Sequence, residues 1–179
     1  RHLILAVVKG NAYGHGAVPV SQALSRAGAD WFGVTCTAEG SELREGGIRE
    51  PILVLTGFWE GEEKRLIDER LTPAITRCAQ LPLLERAARK RRRRVSFHLK
   101  VETGMNRLGI SPSDVPCFAR TLAECPHLRL EGIFTHFAAA DSENPDDRAY
   151  THAQFESFMQ VLNALKRTGM EIPLRHCCN

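Results

Sequence analysis

The chain has 179 residues, 43% of them hydrophobic and 25% charged, with a formal net charge of +3. That length carries one sizeable core, no apolar run approaches the ~20 residues of a membrane span, and the opening run is too short and lacks the small-residue cleavage site of a signal peptide. The charge is too small to argue for nucleic acid, and the cysteines (Cys36, Cys78, Cys117, Cys125, Cys177 and Cys178) hold no C-x-x-C pair, so a cytoplasmic globular protein with reduced thiols and no membrane partner is expected.

The first element is the apolar run at residues 3–8, bounded by glycines and read as a strand buried on both faces. Lys9 stands at its carboxyl edge, directly before Gly10-Asn11-Ala12-Tyr13-Gly14-His15-Gly16. A lone strand-end lysine ordinarily snorkels to solvent; beside flexible glycines it is also a candidate nucleophile toward carbonyls. Val20, Ala23, Leu24 and Ala27 then mark a helix stopped by Gly28, and strands are expected at 31–35, 51–56, 72–76 and 95–101. Gly46, Gly47 and Pro51 punctuate the turn into the third strand. A helix carrying Pro82 near its first turn gathers Arg89, Lys90 and Arg91 to Arg94 at its carboxyl end, where the macrodipole favours cations. No aromatic residues interleave these cations, so a solvated helix end is preferred to a nucleic-acid patch. Ser113 or Asp114 caps a helix bearing Phe118 and Leu122, a strand follows at 128–136, Phe155, Phe158, Met159, Leu162 and Leu165 mark a helix stopped by Gly169, and a last strand lies at 174–178. Seven strands alternating with helices mean a parallel α/β sheet, with no repeat and no visible linker across 1–179.

Four ordered segments carry a family resemblance. Val7 to Gly16 resembles the pyridoxal-phosphate attachment segment of bacterial alanine racemases, a lysine followed by x-Asn-Ala-Tyr-Gly-His-Gly. His98-Leu99-Lys100-Val101-Glu102-Thr103-Gly104-Met105-Asn106-Arg107-Leu108-Gly109 is similar to the family's lysine-to-arginine strand and loop. Gly132-Ile133-Phe134-Thr135-His136-Phe137-Ala138 and the terminal His176-Cys177-Cys178-Asn179 follow in the family's order. The resemblance implies a (β/α)8 barrel of the TIM type. Such a barrel takes about 250 residues, so residues 1–179 are expected to form a partial barrel domain: an internal fragment lacking the last strand and a β-rich carboxyl-terminal domain.

The resemblance also implies roles. Lys9 would hold pyridoxal 5'-phosphate as an internal aldimine and then act as the base on one face of the substrate Cα. Tyr13 would bond the cofactor phosphate. Arg107 would lie near the cofactor's phenolic oxygen and engage the substrate carboxylate, a task suited to bidentate guanidinium geometry. Lys100 would be N-carboxylated, an anion pairing with Arg107. His136 would stand behind the cofactor ring, while His176 and Asn179 would surround an arginine facing the pyridine nitrogen. The implied activity is interconversion of L- and D-alanine for peptidoglycan by a homodimer whose second base, a tyrosine, comes from the other subunit. Gly10, Glu102 and the Cys177-Cys178 pair depart from the commoner alanine, aspartate and small residues. A serine or broad-specificity racemase and a pyridoxal-phosphate carrier that does not racemise are the competing readings. No metal site is expected.

Overall fold

The computed structural model describes residues 2–178, the side chain of Cys178 excepted. The chain divides between Ala74 and Ile75 into two compact units. Each follows from the alternation of apolar runs with amphipathic segments.

The first unit runs β1 (Leu5–Val7), α1 (Lys9–Tyr13), α2 (Ala17–Arg26), β2 (Trp31–Val34), α3 (Thr37–Glu45), β3 (Ile52–Val54), α4 (Glu63–Asp68) and β4 (Thr72–Ile75), the second unit starting at the last residue of β4. The strands pair in parallel and in chain order, with Ala6 opposite Phe32, Gly33 opposite Leu53 and Val54 opposite Pro73. β2, β3 and β4 are buried at every residue, as continuous apolar runs require when both faces are covered. β1 departs from the expectation. It is three residues long and half-buried, with Leu3 and Ile4 exposed before it, because among the described strands it pairs with β2 alone. The helix around Val20 to Ala27 is α2, closed by Gly28 at φ 94°, whereas α3 and α4 lie where periodicity offers no sign of a helix.

The second unit runs α5 (Gln80–Lys90), β5 (Val95–Lys100), a 3₁₀ turn (Pro112–Asp114), α6 (Val115–Ala123), β6 (Leu128–His136), α7 (Pro145–Arg167) and β7 (Leu174–Cys178). Its strands are again parallel: Lys100 sits opposite Phe134, and Phe134 opposite His176. Phe97 and Phe118, both fully buried, meet edge to face with ring centroids 6.2 Å apart and pin α6 to β5. Asn144 caps α7 by accepting the Asp146 N–H at 2.8 Å, and Gly169 follows its end at φ 81°. The cap expected at Ser113 or Asp114 is placed differently. Ser111 accepts the Ser113 N–H and caps the 3₁₀ turn, while Asp114 precedes α6 without a side-chain cap. Arg89, Lys90 and Arg92 to Arg94 are exposed at the end of α5, as a solvated helix terminus should be. Among the described residues no helix is long and apolar enough to cross a membrane.

Candidate functional site

Lys9 follows β1 directly, and the hydrogen bond from the Val8 N–H to the Gly33 carbonyl, 2.9 Å, fixes the strand end before it. The next residues form a turn of left-handed helix: Gly10 at φ 60°, ψ 46°, Asn11 at 55°, 45°, and Ala12 at 52°, 48°, with Tyr13 at φ 55°. Glycine adopts this conformation freely, and asparagine tolerates it. For an L-residue with a larger side chain it costs roughly 1–2 kcal/mol, so consecutive left-handed residues need local compensation. The turn has it. The Ala12 N–H donates to the Val8 carbonyl at 2.9 Å and the Gly16 N–H to the Asn11 carbonyl at 2.9 Å; the Asn11 side-chain oxygen accepts the Ala17 N–H at 2.7 Å and caps α2. Glu39 of α3 closes the other side. One carboxylate oxygen accepts the Gly10 N–H at 2.8 Å and the other the Thr35 N–H at 2.6 Å, tying the turn to the end of β2. The left-handed path brings the half-buried Lys9 amine to 5.9 Å from the centre of the Tyr13 ring, while Tyr13 itself is 64% exposed. A side chain at Gly10 or Gly14 would meet nothing within 4 Å.

In the second unit, register places the candidate residues on one face. Side chains alternate along a strand and paired residues of parallel strands share a side, so His98 and Lys100 of β5, Gly132, Phe134 and His136 of β6, and His176 of β7 line a single face. Contacts bear this out. The Lys100 ammonium lies 5.5 Å from the centre of the Phe134 ring, and Phe134 stacks on His176 with centroids 4.8 Å apart and planes 7° from parallel. His98 Nδ1 and His176 Nε2 are 3.2 Å apart, a hydrogen bond in which one ring donates and the other accepts. Gly132 admits this pair, since a Cβ there would stand 2.5 Å from the His98 ring. Burial, with the neighbouring His176 adding to it, pushes His98 down to about 3, and burial pushes His176 down to about 4, so both rings are neutral at pH 7. Lys100 is buried at 6% exposure.

Arg107 occupies the loop after β5, whose ends close through the Ile110 N–H to the Lys100 carbonyl at 2.8 Å and the Glu102 N–H to the Ile110 carbonyl at 3.0 Å. Glu102 organises the loop interior. Its carboxylate accepts the Gly104 N–H at 2.5 Å and the Arg107 N–H at 3.1 Å. Burial pushes this carboxyl up, but backbone hydrogen bonds from Asn106, Gly104, Arg107 and Met105 outweigh it and hold the group below the usual carboxylate range. The Arg107 side chain is exposed above that anchored backbone. His136 ends β6, half-buried, with its carbonyl 3.4 Å from the Gln154 amide nitrogen. Asn179 lies outside the described residues.

Sequence reasoning thus names Lys9, Tyr13, Lys100, Arg107, His136 and His176. It misses Glu39, Glu102 and the side chain that partners His176, which is His98. The signal for His98 was present: it stands two residues before Lys100 and so on the same strand face. No group of His, Cys, Asp and Glu among the described residues has the arrangement of a metal site.

The family model for the N-terminal domain of alanine racemase matches residues 1–179. The chain belongs to the alanine racemase family. It is 42% identical over 178 residues to the alanine racemase of Geobacter sp. strain M21, covering 98% of this chain and 47% of that one, and 42% identical over 177 residues to the alanine racemase of Symbiobacterium thermophilum, covering 98% and 46%. Among solved structures, the alanine racemase of Clostridium difficile 630 in complex with cycloserine superposes with a TM-score of 0.92 at 32% identity, covering 98% of this chain and 48% of that one. The Bacillus anthracis alanine racemase with bound L-Ala-P gives a TM-score of 0.90 at 31% identity, covering 98% and 45%. The fold is therefore the expected one, an incomplete (β/α)8 barrel of the TIM type with seven parallel strands. The chain spans about half the length of the alanine racemase relatives it matches.

Proposed function

We propose that the protein containing this chain is a pyridoxal-phosphate-dependent alanine racemase that interconverts L- and D-alanine, works in the cytoplasm and acts as a homodimer. Residues 1–179 are read as part of its cofactor-binding domain. The observation that carries the reading is Lys9, set at a strand's carboxyl edge and at the head of a strained left-handed turn. Consecutive strained residues persist where function demands them. The side chains are of kinds that serve the cofactor: in the first unit a primary amine for its aldehyde carbon and an exposed phenol for its phosphate, in the second a guanidinium and imidazoles for its ring and the substrate. Pyridoxal phosphate, when bound, supplies an electron sink for the charge left when the Cα proton departs.

The chain's own residues then divide the work. The Lys9 amine holds the cofactor and, once released, carries the Cα proton on one face of the substrate. The Tyr13 hydroxyl donates to the phosphate. Arg107 takes the substrate carboxylate on a bidentate guanidinium whose backbone Glu102 fixes. His136 backs the cofactor ring, and neutral His176, held by His98, together with Asn179 supports the group facing the pyridine nitrogen. Lys100 is assigned as N-carboxylated, an anion that would pair with Arg107. The opposite face takes its proton from a tyrosine of the other subunit.

The test uses the full-length protein. Pyridoxal phosphate should give an absorption band at the visible edge, borohydride should trap it on the peptide holding Lys9, and Lys9→Ala should lose racemisation by at least about 10³-fold. Trapping on another lysine, or persistence of the band in Lys9→Ala, would overturn the assignment.

A further inference from the structure

The face of α7 toward the site presents Tyr150 and Gln154, one helical turn apart, and both reach loops that the proposed function uses. The Tyr150 hydroxyl donates to the Gly104 carbonyl at 2.6 Å. Gly104 is at φ 142°, and a Cβ there would stand 2.5 Å from that hydroxyl, so the phenol can approach only because residue 104 has no side chain. Gln154 is 1% exposed and every polar atom of its amide is engaged. Its oxygen accepts the Ala138 N–H at 3.0 Å, and its nitrogen lies 3.4 Å from both the Thr103 hydroxyl and the His136 carbonyl. Thr103 in turn meets the Thr135 hydroxyl at 2.7 Å, which reaches the Val101 carbonyl at 3.0 Å. Thus the loop carrying Arg107 and the strand end carrying His136 are bonded to one amide. A buried amide satisfied on both ends specifies position more tightly than apolar packing does.

We propose that Gln154, seconded by Tyr150, is a positioning residue that locks the Arg107 loop and the His136 strand end into one rigid arrangement. Neither side chain needs to touch substrate for this. The proposal rests on the racemase reading of Arg107 and His136, and its test separates the two. In the full-length protein loaded with pyridoxal phosphate, Gln154→Met keeps the volume and removes the hydrogen bonds, and Tyr150→Phe removes one exposed oxygen. Amide exchange in the peptides covering 101–110 and 136–140 should accelerate about tenfold in Gln154→Met, and in 101–110 alone in Tyr150→Phe. The KM for alanine should rise about tenfold in Gln154→Met with kcat changed less than threefold, because it is the carboxylate anchor that loosens. Unchanged exchange in both segments overturns the proposal, and so does faster exchange with an unchanged KM, which would make Gln154 a packing residue only. Should Gln154→Met fail to fold, the exchange and KM of Tyr150→Phe decide by the same criteria. Racemisation surviving in Lys9→Ala would instead sink the reading of the site, while the exchange data would still judge the lock.

Discussion

At the scale of single residues, the paired imidazoles of His98 and His176 make the clearest prediction. Burial keeps both neutral, with folded-state values of about 3 and about 4 against an ordinary 6.5. As pH falls below 6.5 the unfolded chain takes up protons that the folded chain refuses. Stability is therefore full above the ordinary value and lost as pH falls toward the depressed ones, at about 1.4 kcal/mol per pH unit for each ring. Urea midpoints between pH 7 and pH 5 should drop in the parent. The drop should flatten in His98→Phe, and a slope that ignores that substitution would show the pair does not govern it. Little of this was legible in the sequence: His176 drew notice through its terminal motif, whereas His98 looked like a motif-opening residue. Its role depends on Gly132, whose missing side chain makes room for the ring, and that contact spans two strands.

At the scale of elements, regular strands were readable and irregular turns were not. All seven strands fall within or at the expected ranges because continuous apolar runs leave few alternatives. The helix α3 escaped notice because Gly40 interrupts Thr37–Glu45 and charged residues crowd it, and α4 because it is only six residues long. The left-handed turn α1 had only its glycines as a signal, and Ala12 and Tyr13 argue locally against it. What holds it is tertiary, namely Glu39 from α3 and the cap that Asn11 gives α2. Glu39→Gln turns one of two acceptors into a donor facing an N–H and should cost about 1–2 kcal/mol, while Asn11→Ala loses a cap worth about 1 kcal/mol and a residue tolerant of the conformation. Both should lower the urea midpoint and speed exchange of the Gly10 amide. If the Gly10 amide keeps its protection in Glu39→Gln, the carboxylate is not what restrains the turn.

At the scale of the whole molecule, the family was legible because four motifs kept their order over the length of the chain, and the match to residues 1–179 agrees with that reading. The candidate site was legible only where a motif named a residue outright. The supporting groups Glu39, Tyr150 and Gln154 come from other elements, and Glu102, though inside the motif that holds Arg107, shows its role only once the loop has closed on it. Tyr13 shows what this means for selection. It is 64% exposed and left-handed, so Tyr13→Gly gives up only the buried minority of the ring and relieves roughly 1–2 kcal/mol of strain, against about 0.5–1 kcal/mol of added chain entropy and a similar loss of packing. The full-length glycine variant should therefore unfold close to its parent in urea while, on the proposed function, binding pyridoxal phosphate less tightly. A much earlier midpoint would mean the aromatic ring contributes more to folding than its exposure implies. Laboratory evolution that rewards thermal tolerance alone would have little reason to keep the phenol at this position. On the proposed function, a tyrosine kept there marks a place where binding, and not robustness, chose the residue.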